Sequence, residues 1–203
     1  MSALSRTLVT LQALRELGFE QTSLNALYRL GLKSGYFRKV TPARSLVLPE
    51  KLPARFFLST PARESLNGLL GRTAQGVVDE ANELVCGRLR LFGGTLVPLQ
   101  LVPGKDLRHW TSYENHQVPW GKEDVKFLWE PARFGWTFLL GRAYCLTGCE
   151  DYAQLFWQLT ERFLEANPVN LGPNWASGQE VALRLFALSF AIQVFSGSDH
   201  TTL

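Results

Sequence analysis

Apolar residues along this chain recur at helical spacing in several blocks. Leu8, Leu11, Leu14 and Leu17 mark one face of a helix expected over residues 3 to 17, and a second short helix is expected over 23 to 32. Another is predicted over 74 to 86, followed by the strand-like run GRLRLFGG between glycines. From Leu96 to Lys122 the sequences VPGK, HW and VPWG predict an extended surface loop with anchoring aromatics.

The pattern sharpens after residue 122. Glu130-Pro131 predicts a helix start, since proline suits a first turn, and that helix runs to about Leu146 with Gly148 placed to cap it. A second helix from Glu150 to Ala166 carries Tyr152, Leu155, Phe156, Leu159 and Phe163 on one stripe and stops at Asn167-Pro168. A third begins near Ser177. From Val181 to Phe195 only Arg184, Ser189 and Gln193 interrupt the apolar run, which predicts burial on nearly every side. The tight turn between the first two helices predicts an antiparallel hairpin. Strands and helices do not alternate, so a parallel α/β sheet is not expected. The expected fold is mainly α, a layered or toroidal array, with residues 1–121 as an irregular helical and loop region and 122–203 as the first helical hairpins.

Composition narrows the function classes. With 203 residues and 46% hydrophobic content, the chain is long enough for a well-packed domain. A net charge of +3 is far below that of a dedicated nucleic-acid binder, so no nucleic-acid partner is expected. Cys86, Cys145 and Cys149 form no C-x-x-C pair, and with only His109, His116 and His200 beside them no zinc set or other cofactor site is expected. No stretch of 18 uninterrupted apolar residues predicts a membrane span, and the N-terminus carries no secretory signal pattern.

The polar residues at two helix starts hold the remaining information. Ser177 and Glu180 fit the S-x-x-E capping box, and Arg184 lies one turn on, where it can pair with Glu180. Asn174-Trp175 could close a turn, but also has the chemistry to hydrogen-bond a sugar hydroxyl and stack on its ring. Lys126, Trp129, Glu130 and Arg133 make a similar cluster, and the two together suggest a shared cleft. Asn115-His116 reads as a solvated turn pair. The sequence contains no nucleophile elbow, phosphate-binding glycine loop or H-E-x-x-H motif.

The ordered series Asp124-x-Lys126, Trp129-Glu130, Arg133, Ala143-Tyr144, Leu146-Thr147-Gly148 and Tyr152-Ala153 continues through Asn167-Pro168, Gly172-x-Asn174-Trp175 and Glu180-x-x-x-Arg184. This series, about a third of the chain, resembles the heparinase II/III-like polysaccharide lyases. LFGG and RHW, further upstream, fit the same family. The resemblance implies a partial (α/α) toroid of antiparallel helical hairpins and β-elimination of a uronate-containing acidic polysaccharide. That chemistry needs a group to neutralise the uronate carboxylate, a base for the C5 proton and an acid for the departing O4.

The family's Asn-His motif and catalytic tyrosine lie beyond the region matched here, so the resemblance implies an N-terminal fragment, itself inactive, whose partner is the missing C-terminal part of the same protein. No catalytic residue is assigned. Asn174 and Trp175 are expected to contact the sugar, Glu180 and Arg184 to brace them, and Trp129, Glu130 and Arg133 to line the cleft. The alternative is a non-catalytic carbohydrate-binding or helical scaffold module.

Overall fold

A computed structural model describes residues 3–46, 59–104, 106–115, 117–119 and 124–200, with side chains for residue 12 and from residue 14 onward within these ranges. The fold is mainly helical. Helix α1 (Ala3–Lys33) contains a break at Gly18, whose φ of 82° and ψ of 169° separate the two expected helical stretches. Leu8 and Leu11 lie outside the described side chains, while Leu14 and Leu17 are exposed. A short helix α2 (Tyr36–Val40) follows, then α3 (Arg63–Leu70), a 3-10 turn and α4 (Ala74–Val85).

The glycine-bounded run forms β1 (Arg88–Leu91), paired antiparallel with β2 (Thr95–Pro98) in the register Arg88 to Pro98 and Leu91 to Thr95. The expected loop from Leu96 therefore opens as the second strand of a hairpin, and it also contains the helical turn α5 (Trp110–Glu114). Alternation over only four residues was too short to separate this strand from an extended loop.

Helix α6 (Val125–Ala132) departs further from expectation. It is started by Asp124, whose carboxylate accepts the Lys126 N–H at 2.9 Å, and Pro131 lies in its last turn. Proline has no N–H to continue the helical ladder, so the segment ends here instead of beginning. Phe134 then takes a φ of 62°, and α7 (Trp136–Thr147) starts afresh. The strained backbone at Phe134 is offset by full burial of its ring, 4.9 Å from Trp136 and edge-on to Phe163 at 5.0 Å.

The last helices match the pattern closely. Gly148, at φ 70°, terminates α7; α8 (Glu150–Ala166) follows after Cys149; and α9 (Gly178–Phe195) begins at the cap Ser177. Helices α4, α8 and α9 all pack on α7, around a core containing Ala81, Leu84, Leu140, Ala143, Phe156 and Phe195. Tyr152 adds a hydrogen bond to Asn82 at 2.9 Å, joining α8 to α4. This core draws on both sides of residue 122.

Helix α9 is not buried on nearly every side. Ala187, Ala191, Val194 and Phe195 face the core, whereas Leu185 is 65% and Phe186 72% exposed. By length and composition α9 would suffice to cross a membrane; 33% of it is buried within the protein, and its inward polar groups bond to the end of α6 and to the preceding turn. An apolar run predicts which residues favour burial; neighbouring elements decide which ones obtain it.

Candidate functional site

A junction forms at Asn167, which ties the end of α8 to the segment at Leu101 and to the turn that precedes α9. At the end of α8 its amide nitrogen donates to the carbonyls of Phe163 at 2.9 Å and Leu101 at 3.0 Å. Its side-chain oxygen accepts from Asn174 at 2.8 Å, and its backbone carbonyl from the Trp175 indole at 3.2 Å. The side chain is thus fully used, as burial of a primary amide demands. Asn167 was legible as a helix stop ahead of Pro168, but not as the centre of a network.

Asn174 and Trp175 sit in a 3-10 turn (Pro173–Trp175) opened by Gly172, whose φ of 91° favours glycine. A β-carbon there would also lie 3.0 Å from Leu107. Asn174 is only 1% exposed and directs its amide at Asn167, so in this conformation it braces the turn instead of facing solvent. Trp175 is half-buried with its indole N–H bonded. Trp129 reaches the same turn, donating to the Pro173 carbonyl at 3.1 Å.

The charged residues pair differently from expectation. Ser177 caps α9, accepting the Glu180 N–H at 3.5 Å, but the Glu180 carboxylate turns to Arg133. Arg133 grips it with two nitrogens, at 2.5 and 2.8 Å, and uses a third on Glu130 at 2.5 Å. This forked geometry satisfies both oxygens of a carboxylate that is nearly inaccessible to water, and it raises the Arg133 pKa.

Arg184 therefore does not replace Arg133 as the partner of Glu180. It donates to the backbone carbonyls of Ala132 at 2.6 Å and Asn174 at 3.0 Å. Its guanidinium lies over the Phe163 ring at 4.7 Å and the Trp175 ring at 5.3 Å. Burial lowers its pKa to about 10, against a smaller opposing pull from the Glu180 charge, so it remains a cation at neutral pH. Sequence spacing made Glu180 and Arg184 neighbours on one helix; α6 supplied a better-placed arginine from another.

Next to this junction lies an open cleft of about 840 Å³. Its walls come from the β-hairpin through Leu91 and Val97, from α5 through Tyr113, and from α6 through Phe127 and Pro131, with Pro173 as the link to the junction. Phe127 is 49% exposed and meets Phe92 edge-on at 5.5 Å, giving the cleft an aromatic lip. Neither Tyr113 nor Phe127 stood out in the sequence, because the hairpin that faces them was not recognised. The seven sequence-predicted residues Trp129, Glu130, Arg133, Asn174, Trp175, Glu180 and Arg184 thus converge beside the cleft, chiefly as its supporting frame.

His109 illustrates a ring committed to structure. Its Nε2 donates to the Thr41 carbonyl at 2.7 Å, which leaves Nδ1 to accept the Thr111 hydroxyl at 2.9 Å. Both nitrogens are engaged. His116 of the Asn115-His116 pair lies outside the described residues. Among the described residues no group of three potential ligands could hold a metal ion. Searches with this chain find no matching family model, no matching curated protein and no matching solved structure.

Proposed function

We propose that this chain is the N-terminal part of a polysaccharide lyase acting on uronate-containing glycans by β-elimination, with its helices arranged as part of an (α/α) toroid. One observation carries the reading. Residues spread from Trp129 to Arg184, which share no single helix, interlock through Arg133–Glu180, Arg184–Asn174 and Trp129–Pro173 beside one open cleft. The proposal gives this chain the cleft wall and its frame, and assigns it no proton-transfer group.

A rigid wall serves β-elimination because the reacting carbon must meet its base, acid and carboxylate-neutralising group in one fixed geometry. The bidentate Arg133–Glu180 pair and the fully bonded Asn167 provide such rigidity. The test uses protein expressed from the complete open reading frame that contains these residues. Incubation with uronate-containing glycans is expected to generate unsaturated, ultraviolet-absorbing ends. Binding without such ends would replace this reading with a non-catalytic carbohydrate-binding module. Failure to bind any glycan would remove both.

A further inference from the structure

The cleft does not stop at α5. Leu107 and Val118, which line it, also line a second cavity of about 510 Å³ containing Arg38, Arg108 and Ser112. Arg38 and Gln117 in turn border a third cavity, of about 360 Å³, reached by Lys33. These adjoining cavities form a groove whose one end is mainly apolar and aromatic, with Asp106 and Asp124 also in its wall, and whose other end is basic. No carboxylate among the described residues lines either basic cavity. Among the described residues, Lys33, Arg38 and Arg108 form no ion pair. Glu114, the acid on α5, interacts with the Tyr28 hydroxyl.

We infer that Arg38 and Arg108, assisted by Lys33, hold the acidic groups of a glycan whose sugar rings occupy the adjoining aromatic cleft. The inference rests on the proposed function and deepens it by assigning a charged subsite. Arg38 is steadied by a 3.0 Å hydrogen bond to Ser112, which leaves its other N–H donors without a protein partner among the described residues. Its helix is fixed to α5 by the Phe37–Trp110 ring contact at 5.7 Å and by the Trp110 indole on Thr41 at 2.9 Å. Arg108 presents its side chain to solvent while its carbonyl accepts the Gly172 N–H at 2.8 Å, so the basic groove shares backbone with the junction. Guanidinium groups fit carboxylates and sulfates with paired hydrogen bonds, and ordered arginines lose little freedom in forming them.

Calorimetric titration of the 203-residue chain tests this, using an unsulfated oligo-uronate, a sulfated uronate oligosaccharide, a neutral oligosaccharide and polyphosphate. The R38Q/R108Q pair is expected to weaken binding of at least one acidic oligosaccharide by about tenfold or more, with salt weakening the wild type similarly. R72Q/R162Q, which removes equal charge from exposed sites elsewhere, is expected to change it by under about twofold. R108E, at an exposed side chain, repeats the test should R38Q/R108Q unfold. The two acidic oligosaccharides identify whether carboxylate or sulfate is held. Acidic-oligosaccharide binding that is indifferent to folded R38Q/R108Q or R108E would overturn the inference and leave the proposed function standing. Equally tight, arginine-dependent binding of polyphosphate would reduce the groove to a general anion patch and also overturn it. If no acidic oligosaccharide binds the wild type, the subsite fails; the complete-frame assay separately decides the proposed function.

Discussion

Arg133 and Arg184 differ in what they neutralise, and their substitutions should differ accordingly. Arg133→Ala strands the inaccessible Glu180 carboxylate, and is expected to cost roughly 3 kcal/mol in urea unfolding, the low end for a broken buried pair because Arg133 is partly hydrated. Adding Glu180→Gln should recover part of that loss. Arg184→Ala would leave two buried carbonyls and a void between Phe163 and Trp175; Arg184→Met, which refills the void and removes a costly buried charge, is expected to be the milder change. Glu150 provides a pH signature. Hydrogen bonds from Ser198 and then Tyr144 lower its pKa, so it stabilises the fold above the ordinary carboxylate range, and this contribution is lost as pH falls through its depressed value. Glu150→Gln should therefore flatten the acid side of a stability-against-pH curve. Tyr144 moves the other way, up to about 12, chiefly through burial and then its bond to Glu150. Its contribution is complete below the ordinary tyrosine pKa and disappears as pH rises through about 12, which tyrosinate absorbance during alkaline titration would report.

At the scale of elements, α9 distinguishes apolar character from burial. Phe186→Gln on the exposed face is expected to alter stability by less than about 0.5 kcal/mol, whereas Ala191→Leu on the core face should cost roughly 1–3 kcal/mol by overpacking. Equal effects in denaturant titrations would contradict the observed orientation. The packing of α7 on α9 is tight enough that a β-carbon at Gly141 would come within 2.6 Å of Phe190. The ends of α7, α8 and α9 were legible because Gly148, Asn167-Pro168 and Ser177 act locally. The end of α6 was not: Pro131 fits a first turn or a last one, and Asp124, the actual cap, stood out only in the family pattern and not as a helix start.

Across the whole molecule, the groove runs over elements far apart in sequence: α1 and α2 near one end, the β-hairpin and α6 near the other. Its basic part depends on α2 being held against α5 by Thr41, whose carbonyl and hydroxyl meet His109 and Trp110. Thr41→Val, which replaces the hydroxyl by a methyl group, is expected to lower stability by about 1 kcal/mol and to weaken acidic-oligosaccharide binding more than an equally destabilising change at Ser177 would. Thermal melts and calorimetry on the two variants separate these effects. The convergence of the seven predicted residues could be anticipated only as a cluster. Their partners could not, because the Arg133–Glu180 and Asn167–Asn174 bonds depend on how three elements meet.

By itself the sequence determined the local features of this protein: its mainly helical character, the limits of α8 and α9, the left-handed stop at Gly148 and the serine cap of the last helix. Such features follow from interactions within a few residues, which leave a readable pattern. Tertiary structure alone decided that Arg133 rather than Arg184 takes the Glu180 carboxylate, that α9 keeps one apolar face exposed, and that a basic groove adjoins an aromatic cleft. Each is a choice among distant partners of similar chemistry, settled by geometry that no spacing along one helix encodes.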